Sequence, residues 1–294
     1  MNCLYRAFLI IVCGVMGVLS AQAAETLRWG AGNNPPFNIL CGKDQGTGYS
    51  DILQQFFAER MPEYDHKVIH ITVPRLLEQA AAGNDYCYCN LRKASEREDV
   101  LLYSSAVTMG LAPRVYALKE SIVALHARDG VINLPEILST PGLRGLFRKG
   151  RSWGVSIDSV LRRFVRPGAM SISTTIKNKI DLVCAGRVDF FIEYPFAVER
   201  LLKQQTEASC LRGFKIKGQP EAIKAYVGCS NTDFGQAVID QVNEIVRREK
   251  GSPEYREIFL APSESHMEES VVEMEGLYDQ FVAMDEAALR TTAP

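Results

Sequence analysis

The sequence predicts an α/β protein built as two units, each a sheet with helices on its faces. Three observations predict it. Short β-branched or apolar runs of strand length alternate with amphipathic runs of helix length. The 294 residues suffice for one large or two ordinary domains. The same alternation starts afresh after Pro113.

In chain order, Thr26-Leu27-Arg28-Trp29-Gly30 is an apolar-patterned strand, followed by a loop at Asn33-Asn34-Pro35-Pro36-Phe37. Gly46 to Gly48 mark a turn, after which Ser50 or Asp51 can cap a helix from Ile52 to Ala58. Val68 to Val73 is a β-branched run. A helix beginning near Pro74 puts Leu76, Leu77 and Ala80 on one face and stops at Gly83. Tyr86-Cys87-Tyr88-Cys89 reads as a short buried strand. In the second unit Trp153-Gly154-Val155 leads to a helix from Ile157 to Phe164, then a helix from Ile176 to Ala185 and a strand from Val188 to Glu193. Gly213–Gly218 and Ala225–Cys229 are strand-like. Asp233 to Arg248 has the strongest helical period, with Val238, Ile239, Val242, Ile245 and Val246 on one side. From Ser263 the chain is acidic, and Val271, Met274, Leu277, Phe281 and Met284 mark an amphipathic helix packed outside a domain.

Composition narrows the function. With 47% hydrophobic and 23% charged residues, neither disorder nor a fibrous repeat is expected. Thirty-three basic against 35 acidic residues argue against a general nucleic-acid binder. The four His are scattered, and His66 and His70 lie four apart in a strand rather than on a helix. No Gly-x-Ser-x-Gly, phosphate loop or His-Glu-x-x-His occurs, so no catalytic residue, metal or cofactor is expected.

Residues 1–23 read as a secretory signal peptide. Arg6 supplies the positive region, Ala7 to Leu19 the apolar one, and Ala21-Gln22-Ala23 the small-residue cleavage site before Ala24. The apolar run falls short of the ~20 residues that span a bilayer. Cys13 is no lipoprotein site, because Val12 stands where a small residue is needed. Cleavage leaves 271 residues with a net charge of −3, since Arg6 is the leader's one charge. It also leaves Cys41, Cys87, Cys89, Cys184, Cys210 and Cys229, in a periplasmic, oxidising compartment. Six cysteines allow fifteen complete pairings, and the sequence leaves them open.

An ordered series of motifs then resembles the type II periplasmic solute-binding proteins, the family of polar amino-acid receptors of ABC importers. It runs through Pro35-Pro36-Phe37, Gly48-Tyr49-Ser50-Asp51-Ile52-Leu53, Leu76-Leu77 to Gly83-Asn84-Asp85, Ser95-Glu96-Arg97 with Tyr103-Ser104, and Ala185-Gly186-Arg187-Val188-Asp189-Phe190-Phe191-Ile192. The resemblance covers about residues 25–262. It implies a periplasmic-binding-protein-like II fold: two α/β lobes joined by two crossing hinge strands, closing on a ligand in the cleft. On that mapping residues 24–112 and 226–262 form lobe 1, residues 113–225 form lobe 2, and 263–294 are the acidic tail.

The resemblance also implies site residues. Arg97 matches the Arg that forks onto a ligand carboxylate, which suits a permanently charged guanidinium. The alternative is a surface Arg paired with Glu96 or Asp99. Phe37 matches an aromatic that packs on the ligand. Ser152-Trp153-Gly154 sits where a helix N-terminus is presented to the ligand, with free N–H groups that attract an anion. Three departures stand out: Arg92 replaces a usual Thr, Asn90 a usual Gly, and Tyr194 the carboxylate that holds an α-amino group, with Glu193 displaced by one position. A second Arg and a missing ammonium partner suit a dicarboxylate, another acidic metabolite or a peptide-like anion as well as an amino acid.

Lobe 1 would hold Cys41, Cys87, Cys89 and, if it lies just past the hinge, Cys229, with Cys184 and Cys210 in lobe 2; Cys229 on the other side of the hinge gives three and three. Because a bridge between lobes would obstruct closure, pairs within a lobe or near the hinge are expected. Cys87 and Cys89 at i and i+2 are poorly placed to bond each other. Either could reach the Cys41 loop, and Cys210–Cys229 is a reasonable second bridge. A metal at Cys87-x-Cys89 would lack further ligands nearby in sequence. The expected function is monomeric binding of a small polar, anionic or amino-acid-like solute for an ABC permease. The alternatives are a periplasmic sensor domain with a membrane partner, favoured by the extra tail, and a dehydratase-like enzyme on the same scaffold.

Overall fold

The computed structural model describes residues 24–94, 97–148, 152–165, 170–171, 175–202, 210–261 and 268–284. Residues 1–23, where a leader is expected, lie outside them, as do Ser95 and Glu96 of the Arg97 motif.

The chain opens with β1 (Glu25–Ala31), whose Leu27 and Trp29 are fully buried. A loop leads to α1 (Tyr49–Glu59). This helix begins earlier than a Ser50 or Asp51 cap predicts, because Gly48 takes the cap position and Asp51 acts from the third helical residue. The Asp51 carboxylate accepts from Gly48 N at 3.1 Å, Ile39 N at 2.7 Å and Asn38 Nδ2 at 2.7 Å. One acidic side chain thereby caps the helix and ties down the loop that carries Phe37. Gly48 permits this closure: a Cβ there would lie 2.4 Å from the Phe37 carbonyl oxygen.

β2 (Tyr64–His70) pairs parallel with β1, and α2 (Val73–Ala81) follows with Thr72 as its cap residue. β3 (Cys87–Leu91) buries Cys87, Cys89 and Leu91 on alternate positions, as strand geometry requires. β4 (Leu101–Leu111) then carries the chain out of the first lobe.

The second lobe runs through β5 (Arg114–Leu118), α3 (Ile122–Leu125), β6 (Val131–Ile132), α4 (Leu134–Ser139), β7 (Gly145–Arg148) and α5 (Val155–Phe164). It continues with β8 (Met170–Ser171), α6 (Ile176–Cys184), β9 (Phe190–Glu193), α7 (Pro195–Leu202) and β10 (Leu211–Ile216). These strands form a sheet in the order β6-β10-β5-β9-β7-β8. Asp189, from the Gly-Arg-x-Asp motif, accepts from Arg144 N at 2.7 Å and Arg144 Nε at 3.1 Å, joining the start of β7 to β9.

The return strand β11 (Ala222–Ser230) pairs antiparallel with β4 from Ala222, opposite Leu111, and with β3. Residues 222–225 therefore lie in the first lobe's sheet, whose order is β2-β1-β3-β11-β4. The chain crosses between lobes at Ala112-Pro113 and again in the turn before β11. α8 (Asp233–Glu249), α9 (Pro253–Leu260) and α10 (Glu268–Ala283) complete the first lobe.

The acidic tail is part of that core. Met274, Leu277, Tyr278 and Phe281 of α10 are buried with Tyr255 and Phe259 of α9. Phe281 stacks on Tyr255 with ring centroids 5.9 Å apart. On the opposite side, Glu273 pairs with Arg114 Nη2 at 3.1 Å, so the helix also touches the start of the second lobe. Phe281→Ala should cost about 3–5 kcal/mol, the usual loss for a buried Phe. Urea unfolding checks this; an unchanged midpoint would make α10 a dispensable appendage.

One cysteine expectation is corrected here. Cys87 of β3 and Cys229 of β11 are opposed in register and form a disulfide within lobe 1. Cys210 cannot then bond Cys229; its Sγ instead lies 2.7 Å from that of Cys184, inside lobe 2. Cys41 is exposed, with Asn33 Nδ2 directed at its sulfur at 3.8 Å, and bonds neither Cys87 nor Cys89. The antiparallel pairing of β3 with β11 is what brings together two residues 142 apart in sequence.

Candidate functional site

Between the lobes lies a cavity of about 510 Å³, within the range of small-molecule sites. Phe37, Tyr49, Asn90, Arg92, Arg97 and Thr108 line it from the first lobe, and Ser152, Tyr194, Phe196 and Glu199 from the second. Aromatic rings close one side. Phe37 meets Phe196 edge to face at 4.7 Å and Tyr194 at 5.8 Å, and Tyr49 meets Phe196 at 6.2 Å. Each of these pairs spans the two lobes, so the loop held by Asp51 contributes directly to interlobe contact.

Lobe 1 supplies the charge. Near the end of β3, Asn90 adopts φ +65° and donates Nδ2 to Ser50 Oγ at 2.9 Å. Asn is among the few side chains that tolerate this left-handed conformation, which accounts for its standing at a Gly position. Arg92 follows. Arg97 sits in a turn whose N–H donates to Ala94 O at 2.9 Å and whose carbonyl accepts from Val100 N at 3.2 Å. No carboxylate pairs with either guanidinium among the described residues, which include Asp99 but not Glu96. Arg92 Nη1 is buried without a hydrogen-bond partner. Tyr49 donates to or accepts from Thr108 Oγ1 in a short contact, and burial pushes its phenol pKa up, so it stays neutral.

The lobe 2 loop departs from expectation. Ser152 lines the cavity, but Trp153 does not: it is 1% exposed and lies in the lobe 2 core. Two of the loop's N–H groups, those of Trp153 and Gly154, already have partners. Asp158, within the first turn of α5, accepts from Trp153 N at 2.9 Å and from Ser152 Oγ at 2.5 Å, while Gly154 N donates to Ser152 Oγ at 3.2 Å. A carboxylate from the helix itself thus occupies the place of an external anion.

Glu193 also lies away from the cleft. It is 1% exposed and ion-paired to Lys179 of α6 at 2.9 Å in the core of lobe 2. Alternation along β9 is the cause: Tyr194 faces the cavity, so its neighbour faces the opposite way. The carboxylate in the lining is Glu199, on the first turns of α7 and buried. Sequence reading missed it, along with Phe196 as a lining residue. Its only signal was a position five residues beyond Tyr194, one helical turn past Pro195.

No protein-family model matches the chain, and no curated protein matches it either. Solved structures do. A mutant arginine-binding protein from T. maritima is 13% identical with a TM-score of 0.61, covering 82% of this chain and 96% of that one. A structure concerning glutathione import via GshT and the cystine ABC importer TcyBC of Streptococcus mutans is 15% identical with a TM-score of 0.63, covering 81% and 94%. A histidine kinase sensor domain similar to periplasmic binding proteins is 14% identical with a TM-score of 0.61, covering 79% and 93%. The chain therefore has the two-lobed fold of type II periplasmic binding proteins.

Proposed function

We propose that this protein is an exported solute-binding protein, its leader removed before Ala24, that captures a small carboxylate-bearing solute between its lobes for an ABC importer. The observation that carries this reading is Arg97, which lines an interlobe cavity and has no carboxylate partner among the described residues. A permanently charged fork placed there can hold a carboxylate with two parallel hydrogen bonds. The fold's arginine-binding and cystine-importer neighbours support binding rather than catalysis. Phe37, Ser152, Arg92 and Tyr194 complete the binding surface.

Ligand that binds only the folded chain raises its melting temperature in proportion to occupancy. A thermal-shift screen of amino acids and carboxylic acids should give a clear positive, and Arg97→Ala should weaken that ligand about 100-fold or more. A positive that Arg97→Ala leaves untouched removes Arg97 from the site.

The second reading is a periplasmic sensor domain acting on a membrane partner. Glu273 favours it: α10 rests on lobe 1 yet ion-pairs with Arg114 of lobe 2, so lobe motion reaches this helix. Failure of every small molecule, together with capture of a membrane partner through α10, would select it over the importer reading.

A further inference from the structure

Resting on the solute-binding reading, we propose that the ligand carries two anionic groups, one held by Arg97 and the second by Arg92. Arg92 and Arg97 line the same cavity, and neither has a carboxylate partner among the described residues. An Arg side chain cannot discharge by losing its proton, so its charge in a cleft must be met by an acceptor. For Arg92 Nη1 no acceptor stands among the described residues, although the atom is buried.

The position of Arg92 is built rather than incidental. Its guanidinium crosses from lobe 1 to lie against Gly154 of lobe 2, where a Cβ would come within 2.6 Å of Nη2. Gly154 has φ +103°, so glycine is required there both for conformation and for space. An anion on Arg92 would therefore sit where the two lobes meet, beside Ser152.

Two backbone donors beside Ser152 are not open to that anion. Trp153 N and Gly154 N are already bonded to Asp158 and Ser152. Nor does the protein neutralise the pair of arginines itself. Glu193 is committed to Lys179, and Glu199 is the carboxylate of the lining, set on the lobe 2 wall. Two guanidiniums against one carboxylate leave the cleft a net positive charge that a one-carboxylate amino acid does not offset. The shared chemistry is a small dicarboxylate, supplied either as a dicarboxylic acid or as an acidic amino acid whose ammonium group is met by Glu199.

The test uses the mature chain and titration calorimetry with glutarate, L-glutamate, butyrate, L-glutamine and L-arginine. Glutarate or L-glutamate should bind about 10- to 100-fold more tightly than its one-carboxylate counterpart, butyrate or L-glutamine. Arg92→Gln should erase that preference, while Arg92→Lys should keep part of it. An unchanged melting temperature of each unliganded variant shows that the fold is intact. Tighter binding of glutarate identifies a dicarboxylic acid, and tighter binding of L-glutamate an ammonium contact at Glu199. Equal affinity for L-glutamate and L-glutamine, or a preference that survives Arg92→Gln, overturns the proposal. If L-glutamine or L-arginine binds through Arg97 without any dicarboxylate preference, the solute-binding reading stands and the second anion site falls. If no compound binds, both fall.

Discussion

Glu193→Gln is expected to destabilise lobe 2 by about 3–5 kcal/mol and to leave the cleft's ligand affinity unchanged. The Lys179 ammonium and the Glu193 carboxylate are each 1% exposed and 2.9 Å apart. Transferring two charges from water into a core costs several kcal/mol per ion, and their mutual attraction offsets that cost only while both are present. Losing the carboxylate leaves an ammonium buried against Phe191. Lys179→Met should do comparable damage for the mirrored reason. The double replacement Lys179→Met/Glu193→Leu should cost far less than the sum, because no uncompensated charge remains. The two tryptophans make the measurement local: Trp29 lies in the lobe 1 core and Trp153 in the lobe 2 core. Urea unfolding in a Trp29→Phe background, followed by Trp153 fluorescence, reads lobe 2 alone. If Glu193→Gln kept full stability but lost ligand, Glu193 would have to be returned to the cleft.

That outcome bears on how much of the site can be read from sequence. Alternation along a strand says that Glu193 and Tyr194 face opposite ways, but not which face meets the cleft. In β9 all four residues are buried, so no polar face marks the difference. Trp153 was ambiguous for a related reason: a large ring before a helix serves equally to stack on a ligand or to fill a core. Here lobe 2 takes it. At the start of α5, Asp158 folds back on Trp153 N and Ser152 Oγ, a use of the carboxylate that the motif alone does not reveal. A related arrangement occurs at Gly48 and Asp51, where the carboxylate is the third helical residue and anchors Phe37's loop.

The fold was more legible than the site. Strand and helix alternation placed most elements of the first lobe and the long α8, whose apolar period is strong. Short elements carried less signal. α3 and α4 have four and six residues, too few for a period to declare itself. α9 did announce its start, with Ser252 as cap and Pro253 in the first turn, a pattern that sequence reading passed over. Cysteine pairing was out of reach, because it depends on which strands become neighbours after lobe 2 is inserted between β4 and β11.

That insertion gives the disulfide its expected weight. Cys87 and Cys229, 142 positions apart in sequence, close a loop that contains all of lobe 2. Cross-linking a loop of this size removes about 5 kcal/mol of chain entropy from the unfolded state in the loop-closure model. Strain and residual structure usually reduce the realised effect, so Cys87→Ala/Cys229→Ala should lose about 2–5 kcal/mol. The loss should fall on lobe 1, where β3 and β11 are central strands. Trp29 fluorescence in a Trp153→Phe background is the matching reporter. Both cysteines must be replaced together, since Cys89 lies two residues from Cys87 on the same buried face. Burial pushes the Cys89 thiol up and keeps it protonated, so it does not attack the bridge in the intact protein. Replacing Cys87 alone would leave Cys229 free to seek that neighbour and would blur the result. β11 is also one of the two strands that run toward the hinge, and the disulfide fastens its far end to β3. Reduction should therefore loosen the lobe 1 end of the crossing without moving Arg92 or Arg97, which lie beyond β3. Ligand affinity per folded molecule should stay within a few-fold of the oxidised protein. A stable double variant would show that the β3–β11 ladder and the α8 packing hold lobe 1 together without the covalent link.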